Sequence, residues 1–344
     1  MALVKIDVSR FLDLALTIPV IDVRSSSEFL TGHIPGALNI PLFDNEARAA
    51  VGTKFKIEGR VSAILEGLNQ AGSSLSSKLE RALCIASKGK LLLYCWRGGL
   101  RSEAMAWLFT LGGIDTEVLD GGYKSYRHHV LNRLSEKRKM IVLGGMTGSS
   151  KTHILRYFKT IGQQVIDLEG LANHKGSAFG SLGQPAQPST EYFANLLFEE
   201  WDQPAGNLPI WIEDESRNIG SVFIPDSFYL NMQDSPTIIL MMDKKARLPR
   251  LIEEYSNYPI ESLKASITKI SKRIGGDNAK DAIFAIDKGD FAKAIEIVLE
   301  YYDKTYMYGL KKKENGNIIY INSSTENIET NAQKVIEVSR QITW

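Results

Sequence analysis

Cysteine and long hydrophobic runs are both scarce in this sequence. Cys84 and Cys95 are the only two cysteines among 344 residues, which excludes a disulfide framework and fits a reducing compartment. No apolar stretch approaches the roughly 20 residues that a membrane-spanning helix needs. The N-terminus also lacks the basic and then apolar layout of a signal peptide. We therefore expect a cytoplasmic protein without a membrane segment.

Net charge is also nearly absent, because 41 basic residues balance 40 acidic ones to leave +1. This balance neither requires nor excludes a nucleic acid partner, since binding needs a local basic patch rather than a basic total. A chain of 344 residues is long enough for about two domains with separate cores. A charged segment at residues 131–139 predicts a linker between a first domain at 1–130 and a second domain at 140–344.

Short apolar runs alternate with helical patterns in both predicted domains, as is typical of α/β proteins. The first domain is predicted to contain strands at 20–23, 90–94 and 116–119 and a helix at 101–111. The second is predicted to contain strands at 140–143, 164–167, 210–212 and 237–241, a helical part at about 246–310, and a closing strand and helix at 318–340. Ser323 or Ser324 is predicted to cap the last helix. One face of a helix is predicted to carry Phe291, Ile295, Val298, Tyr302 and Tyr306.

Cys95 follows a predicted buried strand and precedes a predicted helix, in the segment CWRGGLRS at residues 95–102. Backbone N–H groups of residues 96–100 can turn inward there and form an anion cradle beside the positive end of the helix. Such surroundings lower the pKa of a thiol and make it a nucleophile. An inert buried cysteine is the alternative, and it is the interpretation we adopt for Cys84. The predicted cradle consists of Arg97, Gly98, Gly99 and Arg101.

Two further segments flank this loop, IDVRSSSEFLTGHIPGALNIP at residues 21–41 and LDGGY at residues 119–123. Together with CWRGGLRS they resemble the rhodanese domain, over roughly residues 1–130. The resemblance implies that Cys95 carries a persulfide or a perselenide. It also implies that four residues hold the frame of the loop: Asp22, Arg24, Glu28 and His33.

The spacing between Cys95 and Arg101 departs from that of many sulfur-transferring rhodaneses, which read C-x-x-G-x-R. Five residues separate the two here. This spacing is similar to the phosphate loop of cysteine phosphatases, in which the arginine holds a tetrahedral phosphate over the thiolate. The longer loop indicates a cradle wide enough for an anion of phosphate size. A phosphatase also needs a general acid for its leaving group, and we identify none, so the loop does not by itself indicate hydrolysis of a phosphate ester.

The segment IVLGGMTGSSKT at residues 141–152 lies between a predicted strand and a predicted helix and is close to the phosphate-loop pattern G-x-x-x-x-G-K-[ST]. Its N–H groups and Lys151 would hold a pyrophosphate, and Thr152 could bind Mg²⁺. Ser150 replaces the usual glycine before the lysine. Its Cβ is awkward if the position needs a positive φ, which argues against tight binding of a nucleoside triphosphate. The predicted diphosphate site consists of Gly145, Thr147, Gly148, Ser149, Ser150, Lys151 and Thr152.

Further polar candidates lie in two segments of the second domain. PIWIEDESRNIG at residues 209–220 is similar to a Walker B strand that holds Mg²⁺ through water, although an acidic strand end in solvent is nearly as well supported. DLEGLANHKGSAFG at residues 167–180 is the other segment. The overlapping residues 174–183, HKGSAFGSLG, are rich in glycine and small residues and predict a mobile loop near the phosphate loop. Arg217, Arg247 and Arg250 could clamp phosphate or RNA, although an arginine of this kind is more often an ordinary surface residue, and no metal site is assigned. The candidates in the two segments are Asp167, Glu169, His174, Lys175, Glu213, Asp214 and Arg217.

A rhodanese-like domain ahead of a phosphate-loop domain, with the segments at residues 167–180, 187–193 and 213–220, resembles the tRNA 2-selenouridine synthase family over essentially the whole length. The implied fold is α/β, with an N-terminal rhodanese-like domain followed by a P-loop NTPase-like α/β domain that carries a helical insertion. The phosphate loop of this family usually reads G-x-T-G-S-G-K-T, so Ser150 is a departure from it.

The resemblance implies a selenium transferase that acts on the wobble 2-thiouridine of tRNA in two steps. The sulfur first receives a geranyl group from geranyl diphosphate, and selenium from selenophosphate then displaces the geranylthio group. The phosphate loop would hold the diphosphate, and Cys95 would be the nucleophile and selenium carrier. We expect a monomer without a tightly bound cofactor, Mg²⁺ as a candidate ligand, and tRNA and the selenophosphate-producing enzyme as partners.

A geranyl chain needs an apolar slot, which the helical residues 250–310 could supply, although periodicity does not separate a slot from ordinary core. Three other functions stay open: an ATP-using tRNA thiolase that carries a persulfide, an inactive rhodanese-like scaffold beside an RNA-binding kinase-like module, and a cysteine phosphatase. Ser150 argues against the first of these, and the presence of Cys95 argues against the second.

Overall fold

The computed structural model of the protein describes residues 3–86, 88–203, 206, 208–312, 317–325 and 327–344. The chain divides into two compact units. The first comprises Met1–Arg133 with Ala194–Glu199, and the second comprises Leu134–Phe193 with Glu200–Trp344. In the described part of the chain, no helix has both the length and the apolar character that a membrane crossing requires.

The first unit is built on a parallel sheet. Its elements are β1 (Val4–Ile6), α1 (Val8–Ala15), β2 (Val20–Asp22), α2 (Ser26–Thr31), β3 (Leu38–Asn39), α3 (Asn45–Glu58), α4 (Arg60–Ala71), α5 (Leu75–Ile85), β4 (Lys90–Tyr94), α6 (Leu100–Leu111), β5 (Asp115–Leu119) and α7 (Gly122–Ser135). The strands pair in parallel in the order β1-β5-β4-β2-β3. The apolar run of β4 is buried, as is usual for a parallel strand covered on both faces. Cys95 thus follows the carboxyl end of the central strand, where α/β sheets place their binding sites.

Most of the predicted elements of this unit are confirmed. The strands predicted at residues 20–23, 90–94 and 116–119 are β2, β4 and β5, and the helix predicted at 101–111 is α6, each to within one residue. Residues 131–135 of the predicted linker are helical, because α7 continues to Ser135, and the first unit gives way to the second between Arg133 and Leu134. One prediction is wrong. Cys84 is exposed on α5, where Ala82 is the buried residue.

The second unit contains another parallel sheet. The elements after α7 are β6 (Met140–Gly145), α8 (Lys151–Thr160), β7 (Val165–Ile166), α9 (Leu168–Ala172), α10 (Thr190–Asp202), β8 (Ile210–Glu213), β9 (Asn218–Ile219), β10 (Val222–Phe223), α11 (Asp226–Asp234), β11 (Thr237–Met242), α12 (Lys244–Tyr255), α13 (Ile260–Ile274), α14 (Gly276–Asp287), α15 (Phe291–Lys312), β12 (Ile318–Ser323) and α16 (Ile328–Ser339). Five strands pair in parallel in the order β12-β11-β6-β8-β7, while β9 and β10 form a separate antiparallel pair. The central strand β6 is buried along its whole length and leads into the phosphate loop.

The helical part predicted at residues 246–310 is confirmed as α12 to α15, and the predicted strands of the second unit correspond to β6, β7, β8, β11 and β12. The predicted cap of the last helix is wrong. Ser323 still belongs to β12, and the side chain of Asn327 accepts the N–H of Thr330 at 2.8 Å as the N-cap of α16.

Candidate functional site

The Cys95 loop is held from behind by the turn at residues 119–123. The N–H of Tyr123 donates to the carbonyl oxygen of Cys95 at 2.8 Å, and the N–H of Lys124 donates to that of Trp96 at 3.0 Å. These bonds turn two loop carbonyls toward the start of α7. The hydroxyl of Ser102 donates to the sulfur of Cys95 at 3.3 Å. The sulfur therefore has a hydrogen-bond donor beside it, as the site of a stabilised thiolate requires.

Glycines permit the close approach of this loop to the turn. Gly98 has a φ of 62°, and a Cβ on it would lie 2.4 Å from the carbonyl oxygen of Leu119. Gly122 has a φ of 61°, and a Cβ there would lie 2.3 Å from the carbonyl oxygen of Cys95. Gly99 differs, since a Cβ on it would meet open space. The packing of the cradle thus requires Gly98, whereas the described surroundings of Gly99 leave room for a side chain.

Cys95 is a buried cysteine whose thiolate is stabilised. Its side chain is 3% exposed, and burial by itself would raise the pKa of the thiol. Four groups outweigh burial, so the pKa of Cys95 lies below its ordinary value. They are the hydroxyl of Ser102, which donates to Sγ at 3.3 Å, the backbone N–H groups of Arg97 and Ser102, and the charge of Arg101. A larger fraction of Cys95 is therefore thiolate at neutral pH, as a nucleophile requires.

Arg101 is fixed beside the loop by Glu28. Its Nη1 donates to Oε2 of Glu28 at 2.7 Å, and its Nη2 donates to Oε1 at 3.3 Å. Burial opposes ionisation of Glu28, but Arg101 and the N–H of Ser25 prevail and lower the pKa of this carboxyl. Glu28 therefore orients an arginine that also acts on the sulfur through its charge. The other predicted arginine of the cradle, Arg97, has an exposed side chain.

The predicted frame residues lie under the loop. Arg24 is 1% exposed, and its Nη2 donates to Asp22 at 2.6 Å and to the carbonyl oxygen of Gly32 at 2.6 Å. The same guanidinium lies 3.9 Å from the centre of the Tyr123 ring, so it supports the turn that holds the loop. His33 stacks on Phe29 with ring centres 3.8 Å apart. These contacts confirm that the sequence motif around Asp22 builds a frame.

We expect Ser102→Ala to slow alkylation of Cys95 by iodoacetamide at neutral pH roughly tenfold, because a hydrogen bond to a charged group is worth about 1.5–3 kcal/mol. Loss of the hydroxyl raises the pKa of Cys95, so less thiolate is present below that pKa. The difference from the wild type should vanish at alkaline pH, where both proteins are thiolates. The measurement is the rate of carbamidomethylation of the Cys95 peptide as a function of pH.

Ser125→Ala is the matched control for this measurement. The hydroxyl of Ser125 donates to the carbonyl oxygens of Asp120 at 2.7 Å and Gly122 at 2.8 Å, and not to the sulfur. Its pH profile should match that of the wild type. A profile of Ser102→Ala that also matched the wild type would remove Ser102 from the group that stabilises the thiolate.

The phosphate loop runs between the end of β6 at Gly145 and the start of α8 at Lys151. Nζ of Lys151 donates to the carbonyl oxygen of Gly145 at 2.7 Å, which folds the ammonium group back over the loop. The N–H of Gly145 donates to the hydroxyl of Tyr306 at 2.7 Å, and that hydroxyl donates to Oδ2 of Asp214 at 3.1 Å. The sequence placed Tyr306 on a helix face but gave no signal that it reaches this loop.

Arg247 holds the loop from another direction. Its Nη1 donates to the carbonyl oxygen of Thr147 at 2.8 Å, and the guanidinium also pairs with Asp303. Because Arg247 is 1% exposed and committed to these partners, the prediction that it could clamp a ligand is wrong. It keeps the loop in shape.

Ser150 has a φ of 69°, in the left-handed region. The sequence pattern places glycine at this position, and a serine Cβ is unfavourable in that region. A residue other than glycine in this region costs on the order of 1–3 kcal/mol and persists where its surroundings hold it. Ser150 is buried, and its hydroxyl is hydrogen-bonded by the guanidinium of Arg250. The neighbouring Ser149 is fully buried, and its hydroxyl has no partner in the described part of the chain. That hydroxyl is available to an oxygen of a bound ligand.

Carboxyl groups gather beside the phosphate loop. Oγ1 of Thr152 donates to Oε2 of Glu169 at 3.2 Å. Burial and the like charge of Glu169 raise the pKa of Glu215 to about 8. Burial also raises the pKa of Glu169, even though Lys151 opposes this shift. The two carboxyl groups therefore retain a proton between them at neutral pH.

These groups line a cleft of about 690 Å³. Its wall carries four basic side chains, Lys151, Arg156, Lys175 and Arg250, together with the carboxyl groups described above. Eleven of the residues predicted for the second domain are among its lining: Gly145, Thr147, Gly148, Ser149, Ser150, Lys151, Thr152, Asp167, Glu169, Lys175 and Asp214.

Three candidate residues lie outside this lining. Glu213 is completely buried, and its Oε2 accepts the N–H of Leu168 at 2.8 Å, so it supports the start of α9. His174 is buried so tightly that a Cβ on Gly180 would lie 2.7 Å from its Cε1. Arg217 is paired with Asp226. The structure does not bring these three side chains to the cleft lining, because closeness in sequence to a lining residue does not fix the direction of a side chain.

The cleft offers limited support for a metal ion. Within the described ranges, no group of three or more His, Cys, Asp or Glu side chains is arranged to hold one. Thr152 and Glu169 nevertheless bring two oxygens together at the loop. Two protein oxygens suit Mg²⁺, which usually takes its other ligands from phosphate and water.

An apolar pocket of about 40 Å³ adjoins the cleft. Five residues line both: Thr147, Ser177, Leu251, Tyr255 and Tyr302. The rest of the pocket is apolar and is formed by Phe179, Leu263, Ile267, Ile286, Phe291, Ala294, Ile295, Val298 and Leu299. Four members of the predicted helix face, on α15, therefore line this pocket, and the fifth holds the phosphate loop.

Comparison with known proteins matches both units. A model described as the tRNA 2-selenouridine synthase AAA domain matches residues 138–337, and the rhodanese-like domain matches residues 8–129. The tRNA 2-selenouridine synthase of Nitrosomonas europaea is 31% identical over 347 residues, covering 86% of this chain and 90% of that protein. The protein of the same name from Shewanella loihica is 33% identical over 331 residues, covering 86% and 88%. That of Nitrosomonas eutropha is 36% identical over 245 residues, covering 69% and 63%.

Proposed function

Because the chain belongs to the tRNA 2-selenouridine synthase family, we propose that it replaces sulfur by selenium at the wobble 2-thiouridine of tRNA in two steps. The phosphate loop of the second unit binds geranyl diphosphate, from which the sulfur receives a geranyl group. The Cys95 loop of the first unit then cleaves the P–Se bond of selenophosphate, and the selenium displaces the geranylthio group. The partners in this proposal are tRNA and the enzyme that makes selenophosphate, and the acting species is a monomer.

The observation that carries this proposal is the apolar pocket beside the phosphate loop. Geranyl diphosphate has an anionic head for the cleft and a hydrocarbon tail for the pocket, and the pocket of about 40 Å³ must widen before it holds the whole tail. A nucleoside triphosphate lacks such a tail, and the Cβ of Ser150 occupies a position that nucleotide-binding loops give to glycine. The sequence expectation of an apolar slot within residues 250–310 is consistent with eleven lining residues from Leu251 to Tyr302.

In the first step, the sulfur of 2-thiouridine attacks C1 of the geranyl group, and the diphosphate leaves with the electron pair of the broken C–O bond. The N–H groups of the phosphate loop, Lys151 and the free hydroxyl of Ser149 stabilise the leaving diphosphate. Thr152 and Glu169 would hold Mg²⁺, which would supply positive charge to the diphosphate. Alkylation of sulfur releases the proton of N3, which passes to water.

The first step prepares the second. Sulfur bound doubly to carbon is a poor leaving group, whereas a geranylthiolate leaves readily. Attack of a selenium nucleophile on C2 therefore expels the geranylthio group and gives 2-selenouridine. This order explains why a prenyl donor serves in an exchange whose product carries no prenyl group.

Mass analysis of nucleosides tests this function. Purified protein is incubated with 2-thiouridine tRNA, geranyl diphosphate and selenophosphate, and samples are digested over time. We expect S-geranyl-2-thiouridine to rise and then fall as 2-selenouridine accumulates. If neither nucleoside appeared and ATP was hydrolysed in the presence of tRNA instead, the thiolase alternative would replace this proposal.

Ile295→Trp should raise the KM for geranyl diphosphate at least roughly tenfold, because loss of apolar contact with two or more methylene groups costs about 1.5 kcal/mol or more. Ile295 lines the pocket on α15, and a tryptophan there occupies space meant for the tail. Inhibition by inorganic pyrophosphate, which has no tail, should stay unchanged. Initial rates of geranylation give both constants.

Ile297→Trp is the matched control, because Ile297 lies on the same helix and packs against the same core but does not line the pocket. Its KM should remain close to that of the wild type. Equal effects of the two substitutions, or a loss of pyrophosphate inhibition in Ile295→Trp, would place the tail elsewhere.

A further inference from the structure

The exchange of sulfur for selenium involves no net oxidation or reduction. Selenium is at the selenide level in selenophosphate and remains at that level in 2-selenouridine. A perselenide on cysteine is oxidised relative to a thiolate and a selenide. Its formation from selenophosphate would leave phosphorus as phosphite or consume an oxidant, and its release from cysteine would consume a reductant. A redox-neutral role for Cys95 avoids both demands.

The geometry of the loop fits attack on phosphorus. Five residues separate Cys95 from Arg101, a spacing that surrounds a tetrahedral anion. The hydroxyl of Ser102 donates to the sulfur at 3.3 Å, and Glu28 fixes Arg101 with two hydrogen bonds. Donors and positive charge are thus arranged around the phosphoryl oxygens of a bound donor, with the thiolate at the centre.

We infer that the Cys95 thiolate attacks the phosphorus of selenophosphate and becomes phosphocysteine, with hydrogenselenide as the leaving group. This inference rests on the proposed function, which names selenophosphate as the donor. The S–P bond forms, the P–Se bond breaks, and its electron pair leaves with selenium. Water then hydrolyses the S–P bond, which releases inorganic phosphate and restores the thiol.

The released hydrogenselenide completes the exchange. It attacks C2 of S-geranyl-2-thiouridine, and the C2–S bond breaks. The selenium-bound proton passes to N3, and the geranyl thiolate takes a proton from water. Selenium, sulfur and phosphorus all keep their oxidation states. Cys95 in this account carries the phosphoryl group, in place of the selenium that the sequence resemblance assigned to it.

The same account explains why the loop needs no general acid. An alkoxide leaving group must be protonated, whereas hydrogenselenide is a weak base and leaves unaided. Glu28 is the carboxylate that hydrogen-bonds to a side chain of the loop, and its pairing with Arg101 commits it to the ionised form. The loop should therefore cleave selenophosphate but not ordinary phosphate monoesters.

The test uses the full chain and selenophosphate labelled at phosphorus in one sample and at selenium in another. The reaction without tRNA is quenched in denaturant within milliseconds to seconds, and the Cys95 peptide is isolated. We expect the phosphorus label on Cys95 and orthophosphate as the phosphorus product by NMR. Cys84→Ser should keep the label, because Cys84 is exposed on another helix, and Cys95→Ser should lose it.

Two results would overturn the inference. Selenium label on Cys95 together with phosphite would show attack on selenium. No label on Cys95, in a preparation that selenates geranylated tRNA, would show direct transfer from selenophosphate to tRNA. A preparation that never selenates tRNA would instead contradict the proposed function itself, so the two failures are distinguishable.

Discussion

Cys95→Ser is expected to lose selenation of S-geranylated tRNA by at least about 10³-fold, as removal of a catalytic nucleophile does in other enzymes. Serine nearly matches cysteine in volume, so the buried position stays filled and the loop keeps its hydrogen bonds to the turn at residues 119–123. The hydroxyl, however, is not ionised at neutral pH and cannot attack selenophosphate. Geranylation of 2-thiouridine tRNA should proceed at the wild-type rate.

The measurement is the time course of both modified nucleosides, with 2-thiouridine tRNA and with tRNA geranylated beforehand. Cys84→Ser serves as the control and should behave as the wild type in both. If Cys95→Ser lost geranylation as well as selenation while it unfolded at the wild-type temperature, the assignment of one step to each loop would be wrong.

Lys151→Ala is expected to have the opposite effect. The ammonium group of Lys151 donates to the carbonyl oxygen of Gly145 at 2.7 Å, and it is placed to donate to a diphosphate bound over the loop. A hydrogen bond between charged groups is worth about 1.5–3 kcal/mol, so the affinity for geranyl diphosphate should fall roughly 10- to 100-fold. Selenation of tRNA that is already geranylated should be unaffected.

Lys159→Ala provides the comparison, because Lys159 lies in the last turn of the same helix and outside the cleft lining. Titration calorimetry with geranyl diphosphate measures the affinity of all three proteins at one salt concentration. An affinity of Lys151→Ala equal to that of Lys159→Ala would remove the phosphate loop from prenyl donor binding.

Local patterns were sufficient to predict the backbone of both candidate sites. Continuous apolar runs mark strands that are buried on both faces of a parallel sheet, so the ends of β4 and β6 could be located from the sequence. A glycine-containing loop and then a helix come after each of these runs, and this order located Cys95 and Lys151. The left-handed conformation of Ser150 was also foreseeable, because the loop pattern has glycine there.

The side chains that support these loops could not be predicted in the same way. Tyr306, Glu28 and Asp303 reach their partners from distant parts of the chain, and no local pattern records such contacts. Glu213 and His174 had the right chemistry and the right neighbours in sequence, yet both side chains pack inward. Cys84 shows the opposite case. It was predicted to lie in the core, but α5 directs Ala82 to the core and leaves Cys84 exposed.

The hydrogen bond between Gly145 and Tyr306 has a consequence for synthesis of the protein on the ribosome. The two residues are 161 positions apart. A nascent chain therefore exposes β6 and its loop long before α15 emerges, and throughout that interval the Gly145 amide lacks its hydroxyl partner. The apolar pocket beside the phosphate loop is also incomplete at that stage, because α15 forms one of its walls. Under the function proposed above, capture of the prenyl donor would begin only once translation has passed α15, and incomplete polypeptides would not sequester the donor.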